Sequence, residues 1–299
     1  MELSALSTGA RSGDLPLGQF TRFVVRDPKV RVIHAAPFQE RVLHHAIMNV
    51  CGPLLERGAI DQSFACRKGR GNRAALVCAR AYARQFRWYL KLDIRKYFDS
   101  ICQERLKTRY SRLFKDPELL RLLDRIIDSY HSRPGQGLPI GTLTSQYLAN
   151  YYLDPLDRFV KEFLRCEGYV RFMDDFVLWN DDPRQLQVWW DAIHSWLASD
   201  LGLEVKPGGQ IGLTREGMPF LGFRVLPQAI LMSRRGRKRF VQSKVRLECD
   251  WARGRVATTE LIHRARALVA HTNQSHCRKW RRRVLGVSNM ISQCVDEFA

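Results

Sequence analysis

The 299-residue sequence predicts a mixed α/β fold of the α+β kind, and three observations carry that expectation. Residues 169–180 read as a buried hairpin, because Tyr169-Val-Arg-Phe-Met and Phe176-Val-Leu-Trp179 are rich in residues that suit strands. Trp88-Tyr-Leu-Lys-Leu-Asp93 reads as another strand, with stretches of helical spacing on either side. The C-terminal part is helical and basic. A chain of this length buries a sizeable core and holds two or three packed subdomains.

Taken in order, residues 1–19 are a Gly-, Ser- and Leu-rich lead-in without periodicity. Phe20 to Ile33 alternates like a β-hairpin, with Asp27-Pro28 as its turn. Helical spacing runs from Pro37 to Arg57 and stops at Gly58. A Gly-rich basic loop, Ser63 to Gly71, precedes a helix over about 72–86. After the strand to Asp93, helices are expected over about 103–114 and 117–131. Gly135 to Gly141 is a loop, and Thr142 or Thr144 is placed to cap a long helix continuing to about 165. Asp182-Pro183 opens a helix over about 184–200 through an N-cap followed by proline. Leu203–Lys206 and Phe220–Val225 read as strands, and three basic helical segments follow from about residue 240. There is no internal repeat.

The formal net charge is +19. Residues 231–299 hold 16 Lys/Arg against 5 Asp/Glu, and the run Arg278-Lys-Trp-Arg-Arg-Arg283 is of one sign. A concentrated basic end is the electrostatic footprint of a phosphate-rich partner, whereas a solvated face usually mixes both signs. No long apolar run, signal peptide or lipidation motif points to a membrane. The eight cysteines are scattered without a Cys-x-x-Cys pair, and His263, His271, His276 and Cys277 lack zinc-finger spacing. A reduced, cytoplasmic protein is expected.

The candidate chemistry sits on carboxylates. Asp174 and Asp175 lie at the tip of the expected hairpin, where two like charges raise each other's pKa unless a positive charge joins them. A divalent metal would supply it; a solvated surface turn is the alternative. Asp93 ends a buried strand, where a lone acid is costly unless paired or metal-bound, and a helix N-cap is its alternative role. If the strand and hairpin lie side by side, three carboxylates converge. That is a ligand set for two Mg²⁺ ions about 3.5–4 Å apart, which hold the attacking and leaving oxygens of a phosphoryl transfer.

Six motifs, in this order and spacing, resemble a prokaryotic reverse transcriptase over about residues 20–285. They are Lys29-Val-Arg31-Val-Ile33, Asp93 with Phe98, Gly137-Leu-Pro-Ile140-Gly141-Thr-Leu-Thr-Ser145-Gln146, Phe172-Met-Asp-Asp175, Leu203-Glu-Val-Lys206 and Phe220-Leu-Gly-Phe223. The resemblance implies a right-hand polymerase. Its parts would be a lead-in at 1–19, fingers at 20–87, a palm at 88–225 of antiparallel sheet plus helices, and a basic helical thumb at 226–299. The helices at about 103–132 would be associated with the fingers. It implies that Asp93, Asp174, Asp175 and the Ile94 carbonyl bind two Mg²⁺ ions, with Mn²⁺ as a substitute. Phe98 would exclude a ribose 2′-OH, although a core aromatic is its alternative role. Lys29 and Arg31 would neutralise the triphosphate, and Lys206 would assist the leaving pyrophosphate. Phe220, Leu221 and Gly222 would form the primer grip, and Arg67, Lys68 and Arg70 would track template phosphates. RNA template, DNA or RNA primer and dNTPs are the implied partners, in a bacterial or phage-encoded protein.

Within the family, Ile140 stands where intron-encoded and retroviral-like enzymes carry glutamine, and Ser145-Gln146 replaces Ser-Pro. This form, with Gly141, is similar to reverse transcriptases of diversity-generating retroelements, which copy RNA with errors at adenines and work with a small, basic, helical accessory oligomer. Defence-associated or group II intron-like reverse transcriptases are the alternative, and an inactive RNA-binding scaffold is a second. The region before Lys29 is shorter than the family pattern. No maturase, endonuclease or RNase H segment is expected after the thumb.

Overall fold

The computed structural model describes residues 8–9, 15–26 and 30–285. In chain order they form β1 (Thr21–Val25), β2 (Arg31–Ala35), α1 (Phe38–Arg57), α2 (Asn72–Gln85) and β3 (Trp88–Asp93). The short α3 (Tyr97–Ser100), α4 (Gln103–Leu113), α5 (Pro117–Asp128), α6 (Leu143–Tyr152) and α7 (Asp154–Arg158) follow. The hairpin strands are β4 (Gly168–Phe172) and β5 (Asp175–Asn180), and α8 (Pro183–Trp196) comes after them. Then come β6 (Gln210–Leu213), β7 (Met218–Phe220), β8 (Phe223–Val225) and β9 (Ile230–Met232). The last elements are α9 (Arg234–Ala252), α10 (Thr258–Thr272) and α11 (Arg278–Leu285).

The chain divides into two compact units. The first comprises Met1–Gly71, Leu90–Leu178 and Arg184–Gln210. Here β1 and β2 form an antiparallel ribbon with Thr21 opposite Ala35 and Val25 opposite Arg31. The expected Asp27-Pro28 turn and Lys29 lie outside the described residues. A four-stranded sheet runs in the order β4-β5-β3-β6. Its central side chains, among them Leu90, Leu92, Val170, Phe176 and Val177, are buried. Asp116 caps α5, accepting from the Glu118 and Leu119 amides at 2.8 and 3.3 Å, with Pro117 supplying the fixed φ of a first helical residue.

The second unit comprises Asn72–Tyr89, Trp179–Pro183 and Ile211–Ala299. Strands β7, β8 and β9 make an antiparallel sheet, and α9 starts from Ser233, whose Oγ accepts from the Gly236 amide at 3.0 Å. Trp280 of α11 packs edge-on against Phe240 of α9 and lies under the Arg237 guanidinium. The basic helices expected from about residue 240 are thus α9 to α11, with the first beginning at Arg234.

Four expectations needed correction. The long helix from Thr142 breaks at Leu153, because Pro155 has no N–H to continue the hydrogen-bond ladder, and it ends in a π-turn over Phe159–Phe163. Leu203–Lys206 is no strand. It makes one antiparallel bridge, Val205 to Ile94, and Pro207-Gly208-Gly209 ends the pairing. Phe220–Val225 is two strands joined by Leu221-Gly222, both at positive φ (49° and 83°), the backbone that a tight two-residue hairpin turn requires. Strands β6 and β9 were not expected: each is three or four residues long, too short for alternation to declare itself.

Candidate active site

Strand β3 delivers Asp93 at its C-terminal end, and the β4–β5 turn of Met173 and Asp174 delivers Asp174 and Asp175 beside it. The Ile94 amide donates to the Asp174 carbonyl at 3.3 Å, which fastens the strand end to the turn. A third segment is stitched on. The Arg95 amide donates to the Glu204 carbonyl and the Lys206 amide to the Asp93 carbonyl, both at 2.8 Å. Lys206 Nζ consequently stands 3.9 Å from Asp93 Oδ2. Lys91, two residues before Asp93 and so on the same face of β3, brings its ammonium 3.1 Å from Asp175 Oδ1.

The electrostatics fit a cluster short of positive charge. Burial, first, pushes the Asp175 carboxyl up to about 6; Lys91 pulls it down, and Asp93 and Asp174 push it up. Asp175 therefore senses the other two carboxylates. Among the described residues no three His, Cys, Asp or Glu side chains stand in a ready metal-ligand arrangement. Lys91 and Lys206 supply the charge here. An all-oxygen donor set with an excess of acid is of the kind that suits a hard divalent ion, and Asp93, Asp174, Asp175 and the Ile94 carbonyl are the groups here that could offer such oxygens.

A second cluster lies around the loop before α6. The Leu138 amide donates to the Phe98 carbonyl, the Gly137 amide to the Ile101 carbonyl, and the His34 amide to the Ile140 carbonyl, at 2.8, 2.9 and 2.8 Å. The loop thereby joins the strand that carries Arg31 to the short helix α3 that carries Phe98. Arg31 is exposed, and Phe98 is half-buried with its ring edge-on to Tyr97. Thr142 caps α6, accepting from the Ser145 amide at 3.3 Å. Gln146 Oε1 accepts a weak bond from the Cys66 thiol at 3.6 Å.

Gly141 sits at φ +127°, and a Cβ there would stand 2.8 Å from Ile33 Cγ2 and 3.0 Å from the His34 carbonyl oxygen. Gly141→Ala is expected to cost about 2–3 kcal/mol in denaturant melts, through strain and the parting of β2 from the loop.

The candidate template residues separate. Arg67 Nη1 donates to the Ile60 and Ser63 carbonyls at 2.6 and 2.8 Å, which braces the loop. Lys68 is exposed. Arg70 pairs with Asp61 at 2.5 Å above the Phe64 ring. In the second unit Phe220 is buried, while Leu221 and Gly222 form the β7–β8 turn. No helix among the described residues is long and apolar enough to cross a membrane.

Several residues escaped the sequence reading. Lys91 is one. The others form a buried polar group in which Arg171, fully buried, binds Asp157, Asn150 and the Met173 carbonyl. The signal was present: an arginine inside an apolar strand needs acids, and Asp154 and Asp157 lie one helix earlier. Burial, first, pushes the Asp154 carboxyl up to about 7; Arg171 pulls it down and Asp157 pushes it up. The folded chain thus holds a proton that the unfolded chain, at 3.8, has lost. Stability is expected to fall as pH rises from about 4 to about 7 and to level off above. Asp154→Asn should remove on the order of 2–4 kcal/mol of that slope, read from urea melts at pH 5 and 8.

Residues 26–225 match the family model described as reverse transcriptase (RNA-dependent DNA polymerase). The group II intron-encoded protein LtrA of Lactococcus lactis subsp. cremoris is 27% identical over 139 residues, covering 44% of this chain and 23% of that protein. The putative COX1/OXI3 intron 2 protein of Saccharomyces cerevisiae is 27% identical over 95 residues, 29% of this chain and 11% of that protein. The chain thus matches under a quarter of the length of these curated relatives. Among solved structures, apo telomerase from Candida tropicalis superposes with a TM-score of 0.55 at 13% identity, covering 77% of this chain and 53% of that one. Telomerase from Candida albicans, in complex with a fragment of telomeric RNA, gives 0.53 at 13% identity over 76% and 46%. At such identity the likeness speaks for the right-hand polymerase fold alone. The family match spans two-thirds of the sequence and holds Asp93, Asp174, Asp175 and the loop at Ile140, so the chain belongs to the reverse transcriptase family.

Proposed function

We propose that the protein is an RNA-directed DNA polymerase that joins dNTPs to a primer by metal-assisted nucleotidyl transfer. The observation that carries this reading is the junction of the Asp93 strand end with the Asp174–Asp175 turn, inside the family-matched region. Reverse transcriptases depend on divalent metal, and a pair of Mg²⁺ ions would polarise the phosphoryl group and neutralise the attacking and leaving oxygens. Asp93, Asp174, Asp175 and the Ile94 carbonyl would hold them. Lys206, 3.9 Å from Asp93 Oδ2, would meet the leaving pyrophosphate. Arg31, with Lys29, would hold the triphosphate, and the Phe98 ring would meet a 2′-OH, so that the sugar is deoxy.

In this reading residues 20–87 act as fingers, 88–225 as palm and 226–299 as thumb. Phe220, Leu221 and Gly222 would approach the primer, and Arg67, Lys68 and Arg70 the template. The basic α9 and α11 would hold duplex phosphates irrespective of sequence. Primer extension on an RNA template with Mg²⁺ tests the proposal. Incorporation of dNTPs in preference to NTPs is the expected result. RNA binding without incorporation by the wild type would sink the enzymatic reading in favour of an RNA-binding scaffold.

For the kind of reverse transcriptase, Ile140 supports an error-prone enzyme of a diversity-generating retroelement, with an accessory oligomer as partner. An apolar side chain offers an incoming nucleotide no hydrogen bond, and losing about 1.4 kcal/mol of discrimination raises errors tenfold. Ile140→Gln is expected to lower misincorporation opposite template adenine by about that factor, read by single-turnover insertion of right and wrong dNTPs. Equal error rates at adenine and elsewhere, unchanged by Ile140→Gln, would refute it. The likeness to LtrA favours a second reading, a group II intron-like enzyme, which such an outcome would support.

A further inference from the structure

We propose that Arg171 is a positioning residue for the Asp174–Asp175 turn, fixing the peptide plane that enters Asp174 from the junction between α6 and α7. The proposal rests on reading Asp174 and Asp175 as carboxylates of the reaction. Arg171 is fully buried, and its donors are spread over several acceptors. Nε and Nη2 form a two-pronged pair with Asp157 Oδ1 and Oδ2 at 2.7 and 2.6 Å. Nη1 donates to Asn150 Oδ1 at 2.8 Å and to the Met173 carbonyl at 3.2 Å. Nη2 also reaches the Asn150 carbonyl at 3.4 Å and lies 3.5 Å from Asp154 Oδ1. The base of this assembly is itself braced: the Tyr169 hydroxyl donates to Asp157 Oδ1 at 2.7 Å, and the Asn150 amide group donates to the Ala65 carbonyl at 3.1 Å.

Three observations give the guanidinium a task beyond packing. First, a buried ion pair adds little stability over apolar residues of the same size, so stability alone gives weak reason for an arginine here. Second, Met173 has φ 57°, a left-handed conformation unfavourable for a side-chain-bearing residue, and the Nη1 bond to its carbonyl restrains it there. Third, the Met173 carbonyl belongs to the peptide plane entering Asp174, while the Asp174 carbonyl, in the plane leaving it, accepts from the Ile94 amide. Asp174 is held on both sides, by Arg171 before it and by the Asp93 strand after it. The Arg171 backbone is anchored as well, donating to the Gln62 carbonyl at 2.9 Å and accepting from the Phe64 amide at 3.0 Å.

Arg171→Lys in the full chain is the test. It keeps the charge but has no planar fork to serve Asp157 and the Met173 carbonyl together. Folding by circular dichroism and RNA-template binding are expected to match the wild type. In primer extension, kcat should fall about 10- to 100-fold, the scale of a misplaced reacting group, with the dNTP KM within about twofold. The Mg²⁺ concentration for half-maximal rate should rise several-fold. A folded Arg171→Lys protein with wild-type Mg²⁺ half-saturation would overturn the proposal even if kcat fell, because a smaller active fraction alone lowers kcat. Should Arg171→Lys fail to fold, Asn150→Ala removes the other acceptor of Nη1. A raised Mg²⁺ half-saturation there supports the proposal, and a wild-type value overturns it. Full activity in Asp174→Asn would instead overturn the carboxylate assignment, and the proposal with it, whatever the Arg171 variants do.

Discussion

Asp174→Asn is expected to lower primer extension by about 10³-fold or more, with folding and RNA binding retained. The size follows from charge. In the proposed role, replacing one carboxylate would remove an oxygen anion that holds metal where transition-state charge must be neutralised, and about 4 kcal/mol of lost stabilisation corresponds to that factor. Folding is expected to survive because the turn is held through backbone groups, the Asp174 carbonyl with the Ile94 amide and the Met173 carbonyl with Arg171, neither of which the substitution touches. Removing one of three mutually repelling acids also relieves the neighbours, since Asp174 and Asp93 help to push the Asp175 carboxyl up. A stability equal to or slightly above wild type together with lost synthesis is therefore the signature. Rate measurements at saturating dNTP over a range of Mg²⁺ check it, and a loss of less than tenfold would remove Asp174 from the chemistry.

Asp157→Asn should do the opposite, costing stability first. Asp157 is fully buried and accepts three hydrogen bonds, two from Arg171 and one from Tyr169. Burial opposes the Arg171 charge, and Asp157, joined by Tyr169 and Asp154, holds the guanidinium above its ordinary pKa. Removing the anion leaves a buried cation with only Asp154, 3.5 Å away and beyond hydrogen-bond distance, so a loss of about 3–5 kcal/mol is expected in urea melts. Asp154 then becomes the principal counter-charge and loses a like-charged neighbour, so its carboxyl should ionise at lower pH. The decline in stability between about pH 4 and 7 should shrink accordingly. A loss below about 1 kcal/mol would mean that Arg171 finds compensation elsewhere.

The carboxylate site was legible because its residues carry their chemistry locally. An acid pair between apolar strands, and an acid ending another strand, are costly arrangements that the chain must resolve, and the order of motifs linked them before any distance was known. Helices with strong ends were legible for a similar reason: Asp182-Pro183 writes the start of α8 into two residues. Elements whose definition depends on partners were not. Leu203–Lys206 has a strand's composition but pairs through one bridge, and Leu221-Gly222 turns a continuous apolar stretch into a hairpin through backbone conformation.

By itself, then, the sequence determined the acids, their order and the hairpin that carries two of them, since pattern and charge are properties of neighbours along the chain. Only the tertiary structure decided how those acids are held. Lys91 faces Asp175 and Lys206 faces Asp93. Arg67 Nη1 meets two carbonyls, and Arg171 reaches back to Asn150 and Asp157 while fastening Met173. A basic side chain reads the same in sequence whether it meets phosphate, carboxylate or a carbonyl. What it meets is fixed by which segments the fold brings within hydrogen-bond distance of it.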